Sequence, residues 1–328
     1  MVSFVMVTYG KRMNYVFNAI EPILNSTNAL IILVCNGVDN KAYEELVINF
    51  DRYLNSRLIL IKNTINEGSS GGFYLGMEKA LSVGKEYTVL LDDDNYLSVE
   101  NLTKLNDFLI KKTNVAYACY RKDRRYMTDL INGVATDNVF PKQNSFMGVS
   151  LNRILNKFFK LKRNHQSYNN KIKINWAPYG GLIIRTEWLA NIGLPRRDYY
   201  LYADDTEFTY RIKNIYGLEL LPFIVIEDLE KSWNVSSNRN LFSRLLLDGE
   251  DWKVYYSVRN QAHFDFNLYS NSKIKCEINI LLFMMILTLF FVFFLFKDRS
   301  YSRLSSRFFL LGKACVQGVT GQLGKLND

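Results

Sequence analysis

The sequence predicts an α/β fold built on a mainly parallel, Rossmann-like sheet, followed by a helical C-terminal region. Three observations carry this. Short apolar runs bounded by turn residues alternate with amphipathic stretches over the first 120 residues. Acidic and Gly-rich segments fall just after those runs, where a parallel sheet carries its ligand loops. Finally, Asn279–Phe296 is almost wholly apolar and, as a helix about 27 Å long, reads as membrane-associating, with a soluble core helix as the alternative.

The elements follow in order. Val2–Thr8 reads as a strand, followed by helix to about Leu24. Leu30–Asn36 is the second strand, with a helix around Tyr43–Tyr53, and Leu58–Lys62 is the third. A Gly-rich loop then precedes a helix from about Gly72 to Leu81. Tyr87–Leu91 is a fourth strand running into Asp92–Asp94, with a helix at Val99–Lys111 and a strand near Val115–Cys119. Residues 121–172 are polar and basic with weak periodicity, around a helix near Leu151–Leu161. Order returns at Ile174–Arg185, then a helix at Asp204–Tyr216, a strand at Leu218–Ile226 and helix over 239–264. The expected division is a catalytic domain at 1–235, a helical extension at 236–277 and membrane-associating helices at 278–328.

Composition narrows the function. The 328 residues are 48% hydrophobic and 22% charged, with 21 Tyr and 22 Phe, which suits an ordered protein with an ample core. The net charge of +9 suits an anionic partner such as a nucleotide or an anionic membrane surface. No RGG tract, zinc-finger spacing or long basic block points to nucleic acid. Cys35, Cys119, Cys276 and Cys315 are far apart, as expected of reduced thiols. With only His165 and His263, any metal must rest on carboxylates. The start MVSFVMVTYG reads as a strand rather than a signal peptide, so the expected location is the cytoplasmic face of a bacterial inner membrane.

Five segments carry candidate chemistry. Asp92-Asp93-Asp94 repel one another, a cost tolerated where a cation neutralises them. If the strand continues, Asp92 and Asp94 share a side and can hold Mg²⁺ or Mn²⁺; the alternative is a solvated turn before a helix. The run Asn66-Glu67-Gly68-Ser69-Ser70-Gly71-Gly72 allows close backbone approach of an anion at a helix start, or is a plain tight turn. Asp204 and Asp205 open a helix; Asp205 is placed to deprotonate an acceptor hydroxyl, or both merely decorate a helix N-terminus. Glu227 and Asp228 either complete a metal site or solvate a strand end. Trp176, Tyr179 and Trp233 are either sugar-stacking faces, with Asp204 beside the acceptor, or buried aromatics.

The order of these motifs, VTYGKR, NGVDN, LLDDDN and YADDTEF, resembles family 2 glycosyltransferases, the inverting enzymes of the GT-A fold, over roughly residues 2–235. The resemblance implies that Thr8 and Tyr9 line the nucleotide pocket and that Asp39 sits near the base. It also implies that Asp92 and Asp94 form the metal pair, with Asp94 as the direct ligand, and that Asp205 is the catalytic base. The family often carries a histidine where this chain has Glu227, which leaves the third metal ligand open. NEGSSGGF and the triple Asp look like galactofuranosyltransferases, and WAPYGG like their aromatic acceptor wall; rhamnosyltransferases of O-antigen and capsule pathways share most of the pattern. YYSVRN at Tyr255–Asn260 looks like a segment found after the catalytic domain of polymer-building members. The implied reaction transfers a hexose from a nucleotide diphosphate, UDP-galactofuranose favoured and a dTDP-sugar possible, to a lipid-linked or growing glycan. The rivals are a nucleotidyltransferase, which lacks its basic Gly-rich loop after the first strand, and a non-catalytic membrane-bound glycan-binding protein.

The C-terminal run raises a conflict of orientation. Lys297, Arg299, Arg303, Arg307 and Lys313 follow it, while Arg259, Lys273 and Lys275 precede it. The positive-inside rule keeps the tail in the cytosol, where the catalytic domain also belongs. The expectation is a helix dipping into one leaflet, with a second at Ser302–Val316 lying at the interface.

Overall fold

The computed structural model describes residues 2–111, 114–158, 172–230, 239–297 and 301–326. The described residues divide into two compact units. The first comprises Met1–Thr136, Gln166–Tyr200 and Asp204–Lys231; the second Asp137–His165, Leu201–Ala203 and Ser232–Asp328. This differs from the expected cuts at 235 and 277, because the described residues 137–158 group with the C-terminal helices.

The first unit is the α/β domain. Its strands are β1 (Val2–Thr8), β2 (Leu30–Asn36), β3 (Leu58–Asn63), β4 (Tyr87–Asp92), β5 (Asn95–Tyr96), β6 (Ala116–Arg121), β7 (Ile172–Lys173), β8 (Leu182–Arg185) and β9 (Leu218–Asp228). They run in the order β3-β2-β1-β4-β8-β6-β9-β5, with β7 on β9. β1 pairs in parallel with β2 and β4, and β2 with β3. Every residue of β1 and β2 is buried, which is why they read as continuous apolar runs: helices cover both faces. β8 lies antiparallel between β4 and β6, a reversal that hydrophobic periodicity does not encode.

The helices beside this sheet are α1 (Met13–Ser26), α2 (Asn40–Asn49), α3 (Gly68–Val83), α4 (Val99–Leu109), α5 (Arg125–Ile131), α6 (Thr136–Val139, which straddles the unit boundary), α8 (Trp188–Ile192) and α9 (Asp204–Tyr216). α3 starts at Gly68, not at Gly72 as the sequence suggests, so the Gly-rich run is its first turn. A Cβ on Gly72 or Gly76 would collide with the side chains of Val7 and Val5, so these glycines let α3 pack onto β1. Gly84, left-handed at φ +67, ends the helix.

The second unit holds α7 (Leu151–Phe158), α10 (Leu241–Leu247), α11 (Asp251–His263), α12 (Lys273–Lys297) and α13 (Tyr301–Val319). The helix expected over 239–264 is broken at Gly249, whose φ is +71. Gly318 of α13 seats directly on the α11 backbone at Arg259, where any side chain would clash. Arg307 is buried and donates to the carbonyls of Leu245, Asp248 and Gly249, satisfying the C-terminal end of α10. In YYSVRN, Asn260 Nδ2 donates to the carbonyls of Leu201 (2.7 Å) and Tyr202 (2.9 Å), beside the left-handed Tyr202 and Ala203. Replacing Asn260 by Ala strands both carbonyls, and a loss of about 1–3 kcal/mol in chemical denaturation is expected.

Candidate active site

The site is assembled at the C-terminal ends of β1, β4, β6 and β9, all in the first unit. β4 delivers Asp92, and the chain then turns sharply through Asp93 and Asp94 into β5. Arg12 reaches two of the three carboxylates, Asp93 at 2.8 Å and Asp94 at 3.5 Å.

Asp93 turns inward. Its oxygens accept from Thr8 Oγ1 at 2.8 Å and from Arg12 Nε at 2.8 and 3.0 Å. The middle acid therefore clasps the loop after β1 to the turn after β4. A direct contact of Asp93 or Thr8 with a nucleotide, the role expected of both, competes with this bond. Burial pushes the Asp93 carboxyl up, and Arg12 pulls it back down. Tyr9 is half exposed, with the Arg12 guanidinium 5.1 Å from its ring centre, so one face of that ring is already covered.

Asp92 and Asp94 remain at the site with Asp228. Arg121, buried at the end of β6, donates to Asp92 Oδ2 at 3.2 Å and also to Asp228 Oδ2. Asn95 Nδ2 donates to Asp228 Oδ1 at 2.9 Å and to Asp94 Oδ1 at 3.4 Å. Asp228 pairs with Asn95 across the β9–β5 ladder, and Tyr96 with Glu227. Strand alternation then turns Asp228 toward the acids and leaves Glu227 exposed on the other side. Of the two nominated acids, only Asp228 joins the cluster; Glu227 does not.

Burial, then the charges of Asp92, Asp93 and Asp228, push Asp94 up to about 7. Burial pushes Asp228 up to about 6, against the pull of Arg121. Carboxylates held this far above their ordinary range lie where a further positive charge is favoured. Among the described residues no three His, Cys, Asp or Glu side chains converge tightly enough to enclose an ion alone. Mg²⁺ is commonly bound through only one or two carboxylates, with phosphate oxygens and water completing the shell. Asp92 and Asp94 are the residues that would hold it, and Asp228 sits behind them.

Gly180, in the WAPYGG run, seals one side. A Cβ there would overlap Asn95 Oδ1 and lie 2.6 Å from Arg121 Nη1 and 2.7 Å from Asp92 Oδ2. Gly180→Ala is expected to destabilise the fold by about 1–3 kcal/mol and to scatter the acids. A thermal melt checks the first effect and a Mn²⁺ titration the second. Ala at Gly84, where a Cβ meets nothing but the backbone is left-handed, serves as the strain control.

Asp204 and Asp205 open α9. Asp204 is buried and accepts from Ser69 Oγ at 2.7 Å, which ties α9 to the first turn of α3. Asp205 Oδ1 accepts from its neighbour's N–H, Thr206 N, at 2.7 Å. Burial pushes both carboxyls up; the charge of Asp205 adds to this at Asp204, and that of Asp92 at Asp205. Asp205 thus feels Asp92 at the end of β4 and the cation of Arg124.

The remaining nominated residues separate. Asp39 caps α2 by accepting from Ala42 N at 2.8 Å, and is exposed at the rim. Asn66 accepts from Gly68 N at 2.9 Å and from Asn36 Nδ2 at 3.2 Å, shaping the turn before α3. Gly68 adopts φ +72, and a Cβ there would strike the Tyr200 carbonyl. Gly71 and Gly72 are buried; a Cβ on Gly71 would meet Glu67 of its own turn and one on Gly72 would strike Val7, so the closeness at Gly72 serves the packing of α3 onto β1. Tyr179 is buried between Phe73 (4.3 Å) and Phe208 (6.0 Å), so it is a core ring and not an open sugar platform. Trp176 is half-buried. Trp233 lies outside the described residues.

Sequence reading missed Arg12, Asn95, Arg121 and Gly180. Arg121 had a signal, since it ends an apolar strand on the side where ligand loops gather. Nothing local marks Arg12 as the partner of an acid 81 positions away.

No curated protein matches this chain. Among solved structures, GalNAc-T7 with UDP, GalNAc and Mn²⁺ is 14% identical with a TM-score of 0.52, over 84% of this chain and 53% of that one. S. aureus TarS 1–349 in complex with UDP-GlcNAc is 14% identical with a TM-score of 0.51, over 97% and 81%. The chain spans about half the length of GalNAc-T7, and 44% of the longer S. aureus TarS chain. Likeness at this identity establishes the fold, a glycosyltransferase-type α/β domain. The family model for glycosyl transferase family 2 matches residues 3–176, more than half of the sequence and inclusive of Thr8, Asp92, Asp94 and Arg121, and the chain therefore belongs to glycosyl transferase family 2.

Proposed function

We propose that this glycosyltransferase moves a hexose from a nucleoside diphosphate to a glycan hydroxyl with inversion, UDP-galactofuranose being the favoured donor. The observation that carries the reading is the nearness of two acid groups. Asp92 and Asp94 stand at the end of β4, and Asp205 at the start of α9 lies within electrostatic reach of Asp92. One group would hold the cation that neutralises the leaving diphosphate while the other receives a proton, as a single in-line displacement requires.

The division of labour follows. A divalent cation on Asp92 and Asp94, when bound, supplies charge neutralisation for the departing diphosphate. Arg121 holds Asp92 and Asp228 in place. Arg12 and Thr8 hold Asp93 and with it the turn. Asp205 takes the proton from the attacking hydroxyl, its raised affinity for that proton arising from burial and from Asp92. Mn²⁺ in the GalNAc-T7 structure and UDP-GlcNAc in that of TarS support a metal and a uridine donor by analogy of fold. Galactofuranose rests on the NEGSSGGF and WAPYGG runs; a rhamnosyl donor is the alternative they leave.

The test is release of nucleoside diphosphate from a panel of UDP-, dTDP- and GDP-sugars, with and without chelator. Fastest release from UDP-galactofuranose, abolished by chelator, is expected. Faster release from dTDP-rhamnose reassigns the sugar, and release indifferent to chelator removes the metal.

A further inference from the structure

The proposed chemistry makes no use of α12. Between Glu277 and Lys297 this helix carries no charge, and its most apolar window has a mean hydropathy of 2.8 with 17% of it buried. By length and composition it is able to cross a membrane. Its contacts give it a different posture.

Its covered side is a narrow stripe, Cys276, Asn279, Phe283 and Leu287, spaced by three and four residues. Ties run along nearly the whole helix. Asn279 accepts from Leu151 N and donates to Asn144 O, both at 2.8 Å. The Phe283 ring lies 5.3 Å from those of Phe146 and Phe242. Phe290 stacks on Phe242 at 5.4 Å, and Phe291 on Phe308 of α13 at 4.3 Å. The axis therefore lies along the body of the second unit and does not project from it. The opposite side exposes Ile278, Leu281, Met285, Leu289, Phe293 and Phe296, with Leu281 70% and Phe296 89% accessible. These recur on one face over about 27 Å.

We infer that this face docks α12 flat in the plane of one leaflet of an anionic bilayer, without crossing it. Crossing would carry its packing partners into hydrocarbon. These include the irregular backbone at Asn144–Ser150, and unsatisfied backbone is not tolerated there. A second copy of the chain is a poor occupant. Two-helix pairing uses a seam of two positions in seven, whereas α12 is apolar around nearly all its circumference, so one partner helix would leave most of the arc in water. Charge names the lipid. Exposed Lys273 and Lys275 stand at one end of α12 and exposed Lys297 and Arg303 at the other, against Glu277. An in-plane helix brings both cationic ends to the same layer of anionic headgroups. The orientation conflict in the flanking charges disappears, since both flanks lie on one side.

The test uses the full-length protein and vesicles containing about one-third phosphatidylglycerol. The native cysteines among the described residues are all buried, so single cysteines placed at Leu281, Met285, Leu289 and Phe293 label selectively. Nitroxide-lipid quenching is expected to give one shallow depth for all four. A depth that changes steadily along the helix means crossing and overturns the proposal. In flotation, Leu281→Glu with Leu289→Glu is expected to lower binding at least tenfold with an unchanged thermal midpoint, because both side chains face outward. Undiminished binding of that folded variant overturns the proposal. So does loss of self-association in lipid-free buffer with vesicle binding retained, which gives the face to a second copy. Should that variant misfold, Lys297→Glu with Arg303→Glu is expected to abolish the preference for anionic over neutral vesicles, and a retained preference overturns the assignment. Flotation reads no catalysis, so this inference and the transferase reading fail separately.

Discussion

Asp205→Asn is expected to bind donor as the wild type does and to lose about 10²–10⁴-fold in turnover, the usual contribution of a positioned general base. The amide keeps the size of the carboxylate and leaves an oxygen to accept from Thr206 N at the start of α9, so the helix survives the change. What disappears is the site that receives the acceptor's proton. A fall in kcat with unchanged calorimetric donor affinity is the expected pattern; normal turnover removes Asp205 from the mechanism. The pH profile provides a second check. Burial and the charge of Asp92 raise the Asp205 carboxyl, so the base fills with protons as pH falls and the rate falls with it. Asp205→Asn is therefore expected to abolish the acid limb of the residual rate, whereas a purely structural Asp205 leaves the limb in place.

Asp94→Ala is expected to weaken the joint binding of Mn²⁺ and nucleoside diphosphate by at least about tenfold, since one of the two hard-oxygen donors is lost from a site that phosphate must complete. The same residue predicts how stability depends on pH. In the folded protein Asp94 is pushed up to about 7 and Asp228 to about 6, both above the ordinary carboxylate range they have when unfolded. The unfolded chain releases these protons more readily. The favourable contribution is therefore complete below about pH 4 and is lost as pH rises through 6 and 7. In chelator the thermal midpoint is expected to fall across that window. Mn²⁺ is expected to restore it, most at the upper end, because binding needs the ionised carboxylates. Asp94→Ala is expected to flatten both responses, and calorimetric titrations and melts at pH 5 and 8 read them. Titration with Mn²⁺ and UDP that matches the wild type removes Asp94 as a ligand.

The strands and their ligand loops were legible because a strand buried on both faces leaves an unbroken apolar run, as Val2–Thr8 and Leu30–Asn36 do. Acids placed after such runs announce a site, since a parallel sheet brings those ends together. The same logic failed at Gly72. A glycine spared a side chain for a phosphate and one spared it for Val7 look alike in a sequence. It failed again at Tyr179, whose ring is as suited to the core between Phe73 and Phe208 as to a sugar.

By itself the sequence determined the α/β class, the order of the motifs, Asp92, Asp94 and Asp205 as the chemical candidates, and an apolar C-terminal helix. All of these depend on residue type and spacing within a segment. Only tertiary structure decided that β8 runs backwards between β4 and β6, that Asp93 belongs to Arg12 and Thr8, that Asp228 and not Glu227 joins the acids, and that α12 is bound along its side. Each depends on a partner tens to hundreds of residues away. A carboxylate's role is set by the nearest charge in space, and local propensity carries no record of which distant residue supplies it.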